Sequence, residues 1–141
     1  MQREQAIIAI LQANSLRLTR ARREFVALLS TAPKPLSASQ ILESLVERGV
    51  AVNKTTVYRE LERFRKLNLV QVIDFGDKKQ YFEWSSEEHH HHFVCLECDK
   101  IEEVSLDERD LIREQKKLIE ERGLSVFRHS LEFFGLCKFC N

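Results

Sequence analysis

Apolar residues fall at helical spacing through most of the first half of the chain. In residues 3–14 they stand at Ile7, Ile8, Ile10 and Leu11, which predicts a first helix. Thr19 is placed to cap a second, from about Arg20 to Ser30, with Phe25, Val26, Leu28 and Leu29 turned inward. Pro33 and Pro35 mark a loop. Ser37 then caps a third helix that carries Ile41, Leu42, Leu45 and Val46 on one face, and Gly49 stops it. Asn53 or Thr55 opens a fourth, with Val57, Leu61 and Phe64 inward and an end near Leu67.

The period then changes. Leu69–Phe75 and Gln80–Trp84 are rich in β-branched and aromatic residues and flank Gly76-Asp77-Lys78-Lys79, which predicts a hairpin with a basic tip. Three helices followed by a hairpin is the order of a winged helix-turn-helix. Beyond it, strands are expected at 91–95, 100–104 and 126–134, with a helix from about Leu106 to Arg122 that Gly123 ends. The fold class expected is α+β: an N-terminal winged helix-turn-helix domain at 1–84, then a small α/β domain at 85–141.

With 141 residues, 43% of them apolar, there is enough material for one ordinary domain or two small ones. No apolar run approaches the roughly 20 residues of a membrane span, and the first residues lack the apolar stretch of a signal peptide. A cytoplasmic protein is expected. The formal charge is zero, but residues 1–84 carry +5 and residues 85–141 carry −5. A basic half joined to an acidic half fits a nucleic-acid binder with a metal-binding partner domain; chance clustering on solvated faces is the plainer alternative.

The strongest chemical signal is two Cys-x-x-Cys pairs, Cys95/Cys98 and Cys137/Cys140, which hold all four cysteines. Four soft thiolates form a closed tetrahedral zinc site with no open position, and so a structural one. In a cytoplasmic protein such pairs are more often metal ligands than disulfides. His89, His90, His91 and His92 run unbroken just ahead of the first pair. On an extended segment their side chains alternate, so His89 and His91 face one way and His90 and His92 the other, and one tetrapeptide can feed two metal sites; a solvated polar loop or an affinity tag is the plainer alternative. Glu83 and His129 are weaker candidate ligands. At the start of the fourth helix, Thr55, Thr56, Tyr58 and Arg59 suit phosphates and base edges in a major groove. Arg17, Arg20, Arg22 and Arg23 surround the start of the second helix and suit phosphate contacts.

Taken together, Leu16-Arg17-Leu18-Thr19 with Arg22, Leu36-Ser37-Ala38, Thr56-Val57-Tyr58-Arg59, the run from His89 to Cys98 and His129-Ser130-Leu131 resemble the ferric uptake regulator family of metal-dependent transcription factors. The resemblance covers essentially the whole chain. It implies a homodimer with a C-terminal dimerisation domain that represses genes when a sensed metal is bound. It assigns Cys95, Cys98, Cys137 and Cys140 to a structural Zn²⁺. Glu83, His90 and His92 match an interdomain regulatory site for a second divalent metal, Fe²⁺, Zn²⁺ or Mn²⁺. His89, His91 and His129 match a further site. Tyr58 and Arg59 match the recognition helix, and Lys79 falls at the wing. Pro35 stands where many members have a histidine, leaving Gln71 or Asp74 as substitutes. The acidic ligand expected on the long helix aligns with Ile112, leaving Glu108 or Asp110. Ala21 replaces a frequent proline.

The expected function is a metal-sensing repressor that binds inverted-repeat operators in double-stranded DNA, with no small-molecule substrate and no membrane partner. A zinc-dependent enzyme would need an open coordination position with a general acid or base beside it, and no His-Glu-x-x-His motif is present. A structural zinc module that binds only proteins would leave the basic start of the fourth helix unexplained.

Overall fold

The computed structural model describes residues 2–85, 90–127 and 129–141. The chain forms two compact units, Met1–Ser86 and Glu87–Asn141. The first runs α1 (Gln2–Ala13), α2 (Arg20–Thr31), β1 (Leu36–Ser37), α3 (Ala38–Glu47), α4 (Lys54–Lys66), β2 (Val70–Asp74) and β3 (Gln80–Trp84). Helix starts are set by side-chain caps. Thr19 Oγ1 accepts from the Arg22 N–H at 3.2 Å. Ser37 and Gln40 form a reciprocal capping box at α3. Asn53 Oδ1 accepts from both the N–H and the hydroxyl of Thr56 at α4. The opening of α4 is Asn53, not Thr55.

The three-stranded sheet has order β1-β3-β2, antiparallel throughout, and β2 and β3 pair from Val70↔Trp84 to Asp74↔Gln80. Strand β1 is two residues long and escapes any periodicity reading. Phe64 centres the core at zero exposure, 5.4 Å from the Phe25 ring and 5.3 Å from Trp84. Ile41, Leu45, Val57 and Leu61 pack around it. The Trp84 indole N–H reaches Ser30 Oγ, and the Arg3 guanidinium donates to the Trp84 and Ser85 carbonyls, which fastens α1 to the end of β3. This unit is a winged helix-turn-helix, with β2 and β3 as the wing.

The second unit contains β4 (His91–Cys95), β5 (Ile101–Val104), α5 (Arg109–Arg122) and β6 (Glu132–Gly135). Its sheet order is β5-β4-β6, with β5 antiparallel and β6 parallel to β4. Two boundaries differ from expectation. The last strand spans four residues instead of 126–134: its register runs from His92↔Glu132 to Cys95↔Gly135, and just before it the Leu131 carbonyl is met by the His91 side chain. Helix α5 starts at Arg109 rather than Leu106. Glu108 occupies the N-cap position but makes no capping bond, and its carboxylate is engaged with His91. Gly123 ends α5 at φ +64°, a conformation that favours glycine, with the Gly123 and Leu124 N–H groups returning to Ile119 and Leu118. Among the described residues no helix is long and apolar enough to cross a membrane.

Replacing Phe64 by Ala removes the ring that joins α2, α4 and β3. Thermal or urea unfolding of that variant should show a loss of about 3–5 kcal/mol; an unchanged transition would contradict this account of the core.

Candidate metal centres and nucleic-acid interface

The four cysteines converge. Cys95 closes β4, and the turn after it is held by the Cys95 N–H on the Lys100 carbonyl at 2.9 Å and the Asp99 N–H on the Cys95 carbonyl at 3.0 Å. The second pair sits on a turn closed by the Cys140 N–H on the Cys137 carbonyl. The Leu96 N–H bonds the Gly135 carbonyl, which brings the two turns side by side. All four sulfurs lie within 4.8 Å of one another, and those of Cys98 and Cys137 are 3.8 Å apart. A tetrahedron with Zn–S bonds of about 2.3 Å has edges of about 3.8 Å, so the sulfur cage fits that ion.

The electrostatics agree. Backbone N–H groups of Cys98, and then Cys137, pull the Cys95 thiol down to about 6. The neighbouring Cys137 sulfur, and then that of Cys98, pushes Cys140 up to about 12. Some thiols are readied as thiolates while others are kept protonated by them, which is how four clustered sulfurs behave until a cation balances their charge.

Strand β4 divides the histidines. His91 is 3% exposed and turns to one side. Its Nδ1 lies 3.0 Å from the Leu131 carbonyl. A carbonyl oxygen only accepts, so Nδ1–H donates to it, and Nε2 is directed at the Glu108 carboxylate. The His129 ring is 5.9 Å from that of His91, and its Nδ1 is 3.3 Å from Gln115 Oε1. One ligand atom from each of His91, Glu108 and His129 falls within a 4.8 Å group. Asp110 is not part of it: its carboxylate pairs with Arg113 on the exposed surface of α5, and Ile112 is exposed. His90 and His92 turn the other way, with rings 5.1 Å apart. His89 lies outside the described residues.

In the first unit, Glu83 stands across the β2–β3 rung from Gln71, whose Nε2 donates to Glu83 Oε1 at 2.6 Å. Asp74 Oδ1 accepts the Gly76 N–H in the wing turn. Both proposed stand-ins for the absent loop histidine are thus engaged locally, and Pro35 is buried.

On α4, Thr55, Tyr58, Arg59, Glu62, Arg63 and Lys66 line one open groove, while Thr56 is spent on the cap. Tyr58 is 46% exposed, with the Lys54 ammonium over its ring. Arg17 and Lys79 are exposed. The Lys79 N–H and the Tyr81 hydroxyl both donate to Asp77, which shapes the wing tip. Arg22 departs from the expectation of a phosphate contact. It is buried, and two of its nitrogens meet Glu60 at 2.7 and 2.8 Å while a third donates to the Arg17 carbonyl. Its donors are consumed inside the fold, so it joins α2 to α4 rather than protein to DNA. Its partner, Glu60, is a residue that the sequence reading does not single out. Its signal was its place between Val57 and Phe64 on the apolar face of α4.

A winged helix with a basic, hydroxyl-bearing helix face, carried with a four-thiol cluster and a histidine–carboxylate cluster, defines a metal-responsive DNA-binding regulator. The sequence profile of the ferric uptake regulator family matches residues 13–134. The ferric uptake regulation protein of Neisseria meningitidis is 32% identical over 134 residues, covering 94% of this chain and 92% of that protein. The crystal structure of the Vibrio cholerae ferric uptake regulator matches with a TM-score of 0.72 at 30% identity, over 90% of this chain and 96% of that one. An iron-containing structure of the Francisella tularensis regulator matches with a TM-score of 0.72 at 26% identity, over 89% and 94%. The chain belongs to the ferric uptake regulator family. Its function is metal-responsive transcriptional regulation, not catalysis, which removes the zinc-enzyme and protein-only alternatives.

The Arg22–Glu60 pair predicts an acid sensitivity. Burial pushes the Glu60 carboxyl up, but the hydrogen bonds and charges of Arg22 and Arg63 together outweigh it, and the net shift is downward from 4.5. A depressed carboxylate contributes stability that is present above its unfolded value and lost as pH falls through its folded one. Urea midpoints should therefore drop below about pH 4.5 in the parent and less steeply in Glu60→Gln. Arg22→Ala, which leaves Glu60 buried and under-paired, should cost about 3–5 kcal/mol at neutral pH. A wild-type midpoint in Arg22→Ala would refute the structural role.

Proposed function

We propose that the protein is a homodimeric repressor that binds inverted-repeat operators when a regulatory divalent metal is bound. Residues 1–84 bind DNA, and residues 85–141 dimerise and bind metal. The observation that carries this reading is the histidine strand, which sends His91 to Glu108 and His129 and sends His90 and His92 the other way. Cys95, Cys98, Cys137 and Cys140 hold a structural Zn²⁺, supported by their sulfur spacing. Glu83, His90 and His92 hold the regulatory ion. His91, Glu108 and His129, with His89, form the additional site. Imidazole and carboxylate donors accept Fe²⁺, Zn²⁺ and Mn²⁺ alike, so cellular supply selects among them; the Francisella relative contains iron. Bound metal supplies fixed positive charge and favours the DNA-competent state, a population shift.

Thr55, Tyr58 and Arg59 read DNA, with Arg17 and Lys79 on phosphates, while Thr56 holds the start of α4. Two features support the dimer: β6 is an edge strand that exposes Phe133 and Phe134, and α5 exposes Ile112, Leu118 and Ile119. A regulator of this kind acts in the cytoplasm.

Two experiments test this. Cys95→Ser or Cys137→Ser should lose one zinc per chain, and with it folding energy on the order of 10 kcal/mol in the second unit. Unchanged metal content and melting in a variant that stays dimeric would defeat the structural assignment. The double change His90→Ala/His92→Ala should abolish metal-activated binding to an inverted repeat while leaving the dimer and the cysteine-bound zinc intact. His89→Ala/His91→Ala should instead shift stability or metal sensitivity. Equal losses in DNA titrations over buffered zinc, iron and manganese would mean that the histidines work as a single cluster.

A further inference from the structure

The DNA-facing groove of α4 contains a cation that is wired to the interior. Arg63 lines that groove with Tyr58 and Arg59, and its side chain is half exposed. It is four residues beyond Arg59, hence about 6 Å further along the same helix face. Its guanidinium also meets Glu60 Oε1. Glu60 in turn takes two bonds from Arg22 across the α2–α4 interface, with both of those side chains 10% exposed. We propose that Arg63 is a further DNA-contacting residue, and that Arg22 and Glu60 act as positioning residues that hold its guanidinium toward the phosphate backbone.

Three arguments support this. The first is charge. Arg22 and Glu60 neutralise each other in the interior, so the surplus positive charge of the triad stands at its exposed end, in the groove. The second is order. A free arginine side chain loses rotamer entropy when a ligand fixes it, whereas one already anchored by a carboxylate has lost part of that in advance. The third is position. Bases are met by residues at the start of a recognition helix, and Thr55, Tyr58 and Arg59 occupy that stretch. A cation one turn later is placed for the backbone bordering the groove, so Arg63 contributes affinity without sequence preference. Arg65 and Glu62, by contrast, pair with each other on the surface and have no link to the core.

The inference rests on α4 being the helix that enters DNA, so the test includes a control for that reading. Full-length protein, with the divalent metal that gives wild-type its tightest binding, is titrated over a range of salt. Two probes are used: an inverted-repeat duplex selected from a random pool by the wild-type protein, and a random duplex. Arg63→Ala should reduce the slope of log affinity against log salt by about 0.9, one phosphate contact. It should also weaken both duplexes by the same factor. Arg63→Lys should restore the slope. Glu60→Gln leaves the Arg63 charge in place but releases its anchor, so it should weaken binding with the slope retained. If Arg59→Ala impairs binding while Arg63→Ala leaves the slope at the wild-type value, the assignment of Arg63 is overturned and the reading of α4 stands. If both leave binding unchanged, the reading of α4 fails. Should Glu60→Gln melt before it can be titrated, the two Arg63 variants, at a half-exposed site, still decide the contact, and Glu60→Asp, which keeps the charge but draws the anchor back, decides the positioning: wild-type affinity in it would overturn that role.

Discussion

In the second unit the clustered cysteine and histidine side chains are also the interior. Helix α5 buries none of its residues. Among the described residues of Glu87–Asn141, those that leave solvent are Val94 together with Cys95, Cys137, His91 and His92. A piece of chain this short cannot collect enough apolar area to offset the entropy of ordering it. The side chains gathered where the sheet closes are instead sulfur and imidazole. Strand β6 reaches β4 because Cys137 follows it and Cys95 ends its neighbour, with the Cys137 N–H on the Cys95 sulfur at 3.3 Å. The parallel pairing of β4 and β6, the placement of Leu131 under His91, and the meeting of His129 with His91 all depend on that closure.

The first unit is built on the opposite principle. It has a contiguous apolar core from Ile7 to Trp84, and the buried Arg22–Glu60 ion pair is matched donor for acceptor. Removing that pair as a whole would cost little, whereas removing half of it strands a charge. The pair therefore contributes less through raw stability than through fixing where α4 lies on α2. For a helix whose work is to present side chains at set spacings, fixed orientation matters more than an extra increment of stability.

The helices of the first unit were legible because their starts are written in local chemistry. Thr19, Ser37 and Asn53 each cap the helix that follows them, and the apolar positions behind them keep one face. The turn chemistry at Gly123 was equally local. What was not legible depends on distant partners. Strand β1 exists only because β3 offers Leu36 and Ser37 an edge. The last strand is short because it pairs only with the stretch of β4 from His92 to Cys95. Arg22 reads as a surface charge until Glu60, thirty-eight residues later, is folded against it. The histidine alternation could be read from the strand period alone, but choosing between Glu108 and Asp110 as neighbour of His91 required knowing where α5 begins.

The order of closure along the chain has a consequence for synthesis. Every strand and helix of the first unit finds its partners within residues 2–85, so that unit can fold while the ribosome is still making the rest. The second unit has no such freedom. Strand β4 appears early, with His91, His92 and Cys95 exposed and reactive, yet the strand and the thiols that cover them arrive some forty residues later. During that interval the nascent chain presents a bare two-cysteine, multi-histidine loop to whatever metals and oxidants surround it. The sheet and the sulfur cluster of the second unit can therefore close only once the last residues of β6 and the second cysteine pair have been made.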